Sequence, residues 1–247
     1  MELKGKAALV TGGGTGLGRE ISLLLAKEGV NVAVNYSRSK DDAEKTAADL
    51  RKLGVSAVTV KADISVPADV DAMVAETEKA FGRLDILINN AGTTKFVQFK
   101  DLDGLNEEDW LKMYKTNTMS IYFASRAAAK VMKKNGGGKI VSTVSIAGIL
   151  PMGSSMAYAV SKAAGIHITK CLAVALAPEI CVNAVAPGVL LTRWHKDTSA
   201  EQIANLKKGA VLQKDTSVAD CAAVFMDLIK NNSITGQTIT IDSGIAI

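Results

Sequence analysis

At 247 residues the chain has room for one large α/β domain, and 48% hydrophobic with 22% charged residues is an ordinary globular balance. The formal charge is only +4 and the basic residues are scattered, which argues against nucleic acid as a partner. No apolar run reaches the roughly 18 residues of a membrane span, no signal peptide is expected in MELKGKAALV, and Cys171, Cys181 and Cys221 lack metal spacing. Free thiols in a reducing, cytoplasmic setting are the expectation.

The first strand, KAALVT, runs into TGGGTGLG at residues 11–18, followed by a helix over about 16–28. Gly12, Gly16 and Gly18 permit a tight turn and close backbone approach, and the helix presents its amino terminus to a diphosphate. The spacing is G-x-x-x-G-x-G, not the G-x-G-x-x-G of the usual dinucleotide fingerprint. The second strand, VNVAVNY, ends on Asn35, Tyr36, Ser37 and Arg38, with no carboxylate before Asp41. An acid near that point would bind a ribose 2′-hydroxyl. Arg38 could instead fork onto a 2′-phosphate with Ser37 adding a hydrogen bond, which points to NADP, although a solvated loop arginine has the same sequence.

Alternation continues with a helix over 41–53, SAVTVKAD, a helix over 67–81, LDILINN, one long helix over 107–134, and KIVSTVS. MAYAVSKAAGIHITKCLAVAL reads as a helix, ICVNAVAPG as the next strand, and after one more helix GQTITID closes the chain. Seven strands separated by helices predict a single α/β domain over 1–247, with a doubly wound parallel sheet covered on both faces. The polar insertion at 189–216, with a short helical piece near 199–208, reads as a flap over the ligand or as a plain surface loop.

The stretch SIAGILPMGSSMAYAVSK places Ser145 at a strand end, and Tyr158 and Lys162 one helical turn apart on a common face. A lysine ammonium close to a tyrosine stabilises the phenolate and lowers the tyrosine pKa. A serine hydroxyl can hold a carbonyl oxygen within reach of that tyrosine. His167 and His195 form no ligand set, and no metal is expected.

Together TGGGTGLG, NNAG (residues 89–92), Asn117, Ser145, YAVSK (158–162) and Pro187-Gly188 resemble the short-chain dehydrogenase/reductase family over essentially the whole length. The resemblance implies a Rossmann-type domain that moves a hydride between NADPH and a ketone or secondary alcohol. It implies that Gly12, Thr15, Gly16, Leu17 and Gly18 line the diphosphate, that Asp63, which by sequence alone also reads as a helix N-terminal cap, holds the adenine amino group, and that Ile64 packs on the ring. Asn89, Ala91 and Gly92 would border the adenosine ribose and support the sheet, and Pro187, Gly188, Val189 and Thr192 would place the nicotinamide. Tyr158 would be the acid/base, Ser145 would orient the substrate oxygen, and Lys162 would bind the nicotinamide ribose and lower the tyrosine pKa. Asn117 would anchor a proton-relaying water, a role that rests wholly on the resemblance. A homotetramer or dimer, paired through the helices carrying Asn117 and Tyr158, is also implied.

Members that reduce 3-oxoacyl groups on acyl carrier protein tend to read G-I-R-V-N before the sixth strand. Here APEICVN is a residue shorter and carries Cys181 at the arginine position, leaving Lys133, Lys134 and Lys139 as a substitute basic patch. The leading expectation is a carbonyl reductase of small or medium ketones. The alternatives are 3-oxoacyl thioester reduction and a catalytically silent nucleotide-binding scaffold or sensor. Phe96, Met152 and Trp194 are candidates for an apolar substrate wall. ITIDSGIAI departs from the more usual D-G-G at Ser243.

Overall fold

The computed structural model describes residues 1–193, 201 and 208–247. The strands are β1 (Ala7–Val10), β2 (Asn31–Tyr36), β3 (Ala57–Lys61), β4 (Ile86–Asn89), β5 (Gly138–Thr143), β6 (Ile180–Pro187) and β7 (Thr238–Ile241). The helices are α1 (Gly16–Lys27), α2 (Lys40–Lys52), α3 (Pro67–Phe81), α4 (Glu107–Tyr114), α5 (Ser120–Lys134), α6 (Met156–Leu176) and α7 (Val218–Lys230). The seven strands form one parallel sheet of order β3-β2-β1-β4-β5-β6-β7.

Strand periodicity divides the core in two. Ala8, Val10, Ile86 and Ile88 point to one face, where they meet Ile21 and Leu25 of α1, Leu50 of α2 and Phe225 of α7. Their neighbours Leu9 and Leu87 point to the other face, against Val70 and Met73 of α3 and Ile121 and Met132 of α5. Because both faces are covered, β1 and β4 are buried throughout; β1 is an unbroken apolar run and β4 is apolar up to its last residue, Asn89. Each fully buried Val, Leu, Ile, Met or Phe side chain among them contributes about 1.5–3 kcal/mol by leaving water.

The chain leaves β1 toward β2 and β3, then returns to place β4 on the opposite side of β1. Connections therefore diverge above the carboxyl ends of β1 and β4, opening the crevice where this class of sheet binds ligands.

Helix bounds follow the sequence expectation to within a residue or two, with one correction. The helix expected over 107–134 is interrupted by a π turn at Lys115–Met119, between α4 and α5. Asn106 and Asp109 cap α4 reciprocally, the Asp109 N–H donating to the Asn106 side chain at 2.9 Å. Among the described residues α6 alone is long and apolar enough, by length and composition, to cross a membrane. In this fold its apolar side lies against β6 and α5, and it carries the buried Lys162.

At residues 189–216 only the base of the expected flap is described, with Leu190 bridged to Thr216. The helical piece near 199–208 and Trp194 lie outside the described residues, apart from 201 and 208. The departure at Ser243 has a structural cost: its φ is +58°, a left-handed conformation that glycine adopts freely. Asp242 offsets that cost by accepting the N–H groups of Gly244 at 2.9 Å and Ala246 at 2.6 Å.

Candidate active site

The crevice is a continuous cleft of about 710 Å³ running from the glycine loop to α6. Its floor is built from polar side chains that lock one loop onto another. The Thr11 hydroxyl accepts the N–H groups of Asn90 at 2.8 Å and Ala91 at 3.0 Å. The Asn90 amide donates back to the carbonyls of Thr11 and Gly12. From the other side, buried Asn35 accepts the Gly12 N–H at 3.2 Å and donates to the carbonyls of Val60 and Ala62. Asn35 thus ties the glycine loop to the ends of β2 and β3. In sequence Asn35 marks only the lack of an acid, yet a polar residue inside a buried strand must find partners.

Gly12, Thr15, Gly16 and Leu17 line the cleft, as do Ser37, Arg38, Asp63 and Ile64 toward β2 and β3. Ala91, Gly92, Pro187, Gly188 and Thr192 line it toward α6. Four expected site residues are not on its wall. Gly18 stands behind the loop, where a Cβ would come within 2.4 Å of the Gly12 carbonyl oxygen, so its function is close packing rather than lining. Asn89 is buried and donates to Ser142 on β5, which supports the sheet. Val189 and Asn117 are likewise absent from the lining.

The Asn117 side chain, inside the π turn, accepts the Thr93 N–H at 2.8 Å and donates to the Thr93 carbonyl at 2.9 Å and to Ser161 at 3.0 Å. Its amide therefore clamps the 93 loop to α6. Asp63 turns one oxygen onto Ser65, accepting from its N–H at 2.9 Å and its hydroxyl at 2.7 Å. It does not cap α3, whose N-cap is Val66. Phe96 is 62% exposed, and neither it nor Met152 lines the cleft.

At the inner end of the cleft Ser145, Tyr158 and Lys162 converge. Ser145 follows β5 and caps a short 3-10 turn, its hydroxyl accepting the Ala147 N–H at 3.1 Å. The buried Ser155 side chain caps α6 through the Tyr158 N–H at 3.3 Å and so fixes where the first turn begins. The Tyr158 side chain is hydrogen-bonded to Ser145. Lys162, 4% exposed, donates to the Thr143 carbonyl at 2.9 Å, and its Nζ lies 5.7 Å from the Tyr158 ring centroid.

The electrostatics correct one expectation. Burial pushes the Tyr158 hydroxyl up to about 12, and the hydrogen bond with Ser145 opposes this only in part. Burial also draws Lys162 down to about 8. Burial is the largest cause, so the net direction is upward even with Lys162 near the ring, and the lysine ammonium is directed at the Thr143 carbonyl. Near neutral pH the tyrosine holds its proton and the lysine is mostly cationic. That arrangement can donate a proton to an oxygen gaining negative charge.

The opposite end of the sheet decides the status of the lysine patch. Lys139 is buried, 4% exposed, with Nζ donating to the Asn231 carbonyl at 2.5 Å and to Cys181 Sγ at 3.3 Å. Lys133 and Lys134 pair with Glu179 and Glu78. Of the three expected positions Lys139 is therefore withdrawn from the surface, while Lys133 and Lys134 stay exposed in solvated ion pairs.

Comparison with known proteins agrees with this architecture. A family model described as short chain dehydrogenase matches residues 6–203. The chain is 36% identical over 243 residues to a 3-oxoacyl-(acyl-carrier-protein) reductase FabG of Staphylococcus aureus, covering 97% of each protein. It superposes on a short chain dehydrogenase from Burkholderia cenocepacia in complex with NADP, with TM-score 0.92, 35% identity and 100% coverage of both chains. An NADPH-dependent 3-quinuclidinone reductase from Rhodotorula rubra matches with TM-score 0.89 and 29% identity, over 99% of this chain and 92% of that one.

Proposed function

The chain belongs to the short-chain dehydrogenase/reductase family, and on that premise we propose that it is an NADPH-dependent reductase of small or medium ketones, running in reverse on secondary alcohols. One observation carries the reading: Ser145, Tyr158 and Lys162 close one end of a cleft whose other end presents Ser37 and Arg38.

The residues present fit a dinucleotide. Gly12 and Gly16, both at positive φ, leave backbone rather than side chains along the phosphate stretch. Asp63 and Ile64 border the position an adenine would take, and Arg38 offers a planar fork to a 2′-phosphate. When bound, the cofactor supplies the hydride. Tyr158 Oη gives its proton to the substrate oxygen as that oxygen becomes negative, while Ser145 Oγ donates a hydrogen bond to the same oxygen. Lys162, cationic beside the ring, stabilises the phenolate left behind. Asn117 holds α6 and the 93 loop in register and so keeps these groups aligned.

A pH dependence follows from the two shifts. Tyr158, at about 12, remains a proton donor across the working range. Lys162 is charged below about 8 and neutral above it. Ketone reduction should therefore be level at acid pH and decline as pH rises through about 8. A profile of kcat/KM level to pH 10 would remove Lys162 from the charge-stabilising role.

The second reading, 3-oxoacyl thioester reduction, is favoured by the names of curated relatives such as the Staphylococcus aureus protein. Against it stands the burial of Lys139, which takes one of the three expected cations out of reach of an acidic carrier; Lys133 and Lys134 remain at the surface in solvated ion pairs. NADPH oxidation with a panel of free ketones beside a 3-oxoacyl thioester separates the two. Fast turnover of a free ketone with a slow thioester supports the first reading, and turnover confined to the thioester replaces it with the second. No hydride transfer to any carbonyl would favour a silent binding protein. The reading places the enzyme in the cytoplasm and includes self-association through α5 and α6, where Tyr122, Val160 and Val174 are exposed. Light scattering that returns a monomer mass would reject that association.

A further inference from the structure

We propose that Arg193 is a second guanidinium of the 2′-phosphate site, delivered from the far side of the cleft by the strap that follows β6. The inference rests on the NADP reading above. Arg193 lies 151 residues from Asp42 in sequence, yet its Nη1 sits 2.8 Å from Asp42 Oδ2. Its Nη2 is 3.2 Å from Ser39 Oγ. Both contacts are on the amino-terminal end of α2, next to Ser37 and Arg38, and Arg38, Ser39 and Arg193 line the same cleft.

Three features make this contact a phosphate ligand rather than a fixed strut. The ion pair is open to water, with side chains 53% and 46% exposed, so it holds Arg193 only weakly and can be exchanged. A phosphate dianion with three acceptor oxygens is a stronger partner for the same fork than one solvated carboxylate. Ser39, although at the N-cap of α2, makes no side-chain capping bond. Its hydroxyl can accept from Arg193 while donating to a phosphate oxygen. Asp42 alone would repel a 2′-phosphate; Arg193 offsets that carboxylate and, on exchanging it for the phosphate, brings a second guanidinium to the cleft that Arg38 lines. Charge on the nucleotide ribose is thereby coupled to the strap bearing Thr192, which packs over Gly16 at the diphosphate turn.

The test measures binding without hydride transfer, by calorimetric titration with 2′,5′-ADP and with 5′-AMP. Wild type should bind 2′,5′-ADP more tightly. Arg193→Gln should raise the Kd for 2′,5′-ADP about ten-fold, the change in affinity expected from losing one charge-assisted contact, and leave 5′-AMP within about two-fold. Arg193→Lys should fall between, because the charge remains and the fork is lost. Asp42→Asn should tighten 2′,5′-ADP by removing the competitor for Arg193. Equal weakening of both nucleotides, or no weakening of either, would overturn the proposal while leaving the NADP preference of wild type intact. A wild type that does not distinguish the two nucleotides would overturn the NADP reading itself, and this inference with it.

Discussion

Replacing Tyr158 by Phe should lower turnover by roughly 10²–10⁴-fold, the range for loss of a general acid, while the dissociation constant for NADPH changes less than about two-fold. The expectation rests on what the substitution leaves untouched. The ring still fills its place on α6, and the helix start is set by Ser155 through the Tyr158 backbone rather than through its hydroxyl. Ser145 keeps its bond from the Ala147 N–H, and Lys162 keeps its bond to the Thr143 carbonyl. What disappears is the one hydroxyl poised to supply the proton. Single-turnover kinetics with a good ketone, beside a fluorescence titration of NADPH, separate chemistry from binding. Turnover within ten-fold of wild type would assign the proton to another group.

The second large effect is architectural. Gly18→Ala should weaken nucleotide binding by ten-fold or more and lower the melting temperature. An added Cβ would meet the Gly12 carbonyl oxygen at 2.4 Å and Asn90 Nδ2 at 2.6 Å. Neither neighbour can step aside cheaply. The Asn90 amide is committed to the carbonyls of Thr11 and Gly12, and Gly12 is held from the other side by Asn35. Overpacking of this kind costs about 1–3 kcal/mol, or a fall on the order of 2–10 °C for a chain of this size. Calorimetric melting with and without NADPH tests both parts. A variant with wild-type melting and wild-type affinity would show that the loop has slack the packing does not suggest.

Gly18 also shows how sequence and structure differ as sources. The glycine spacing located the loop, but spacing alone did not separate the glycines that line the cleft from the one that lets α1 nest on it. Secondary structure was legible because burial on both faces forces long apolar strands and amphipathic helices. The π turn at Lys115–Met119 was not, since KTNTM contains neither proline nor glycine to announce a break. Asn117 within it bonds to Thr93 and Ser161, 24 and 44 residues away, contacts that no local pattern announces. Asn35 was within reach of sequence reasoning, as a lone amide in VAVNY. Arg193 was not, because no local pattern brings it to Asp42. The spacing of Tyr158 to Lys162 points to a lowered tyrosine pKa, whereas desolvation, which spacing does not report, decides its direction.

The pairing of Lys139 with Cys181 across β5 and β6 bears on how such a sequence can change. A thiol tolerates a buried ammonium at 3.3 Å; an arginine at 181 would set a second cation against it. The tolerance of position 181 is therefore set by its neighbour: with Lys139 in place a neutral side chain at 181 is accommodated and a cation is not, whereas a neutral residue at 139 would lift that restriction.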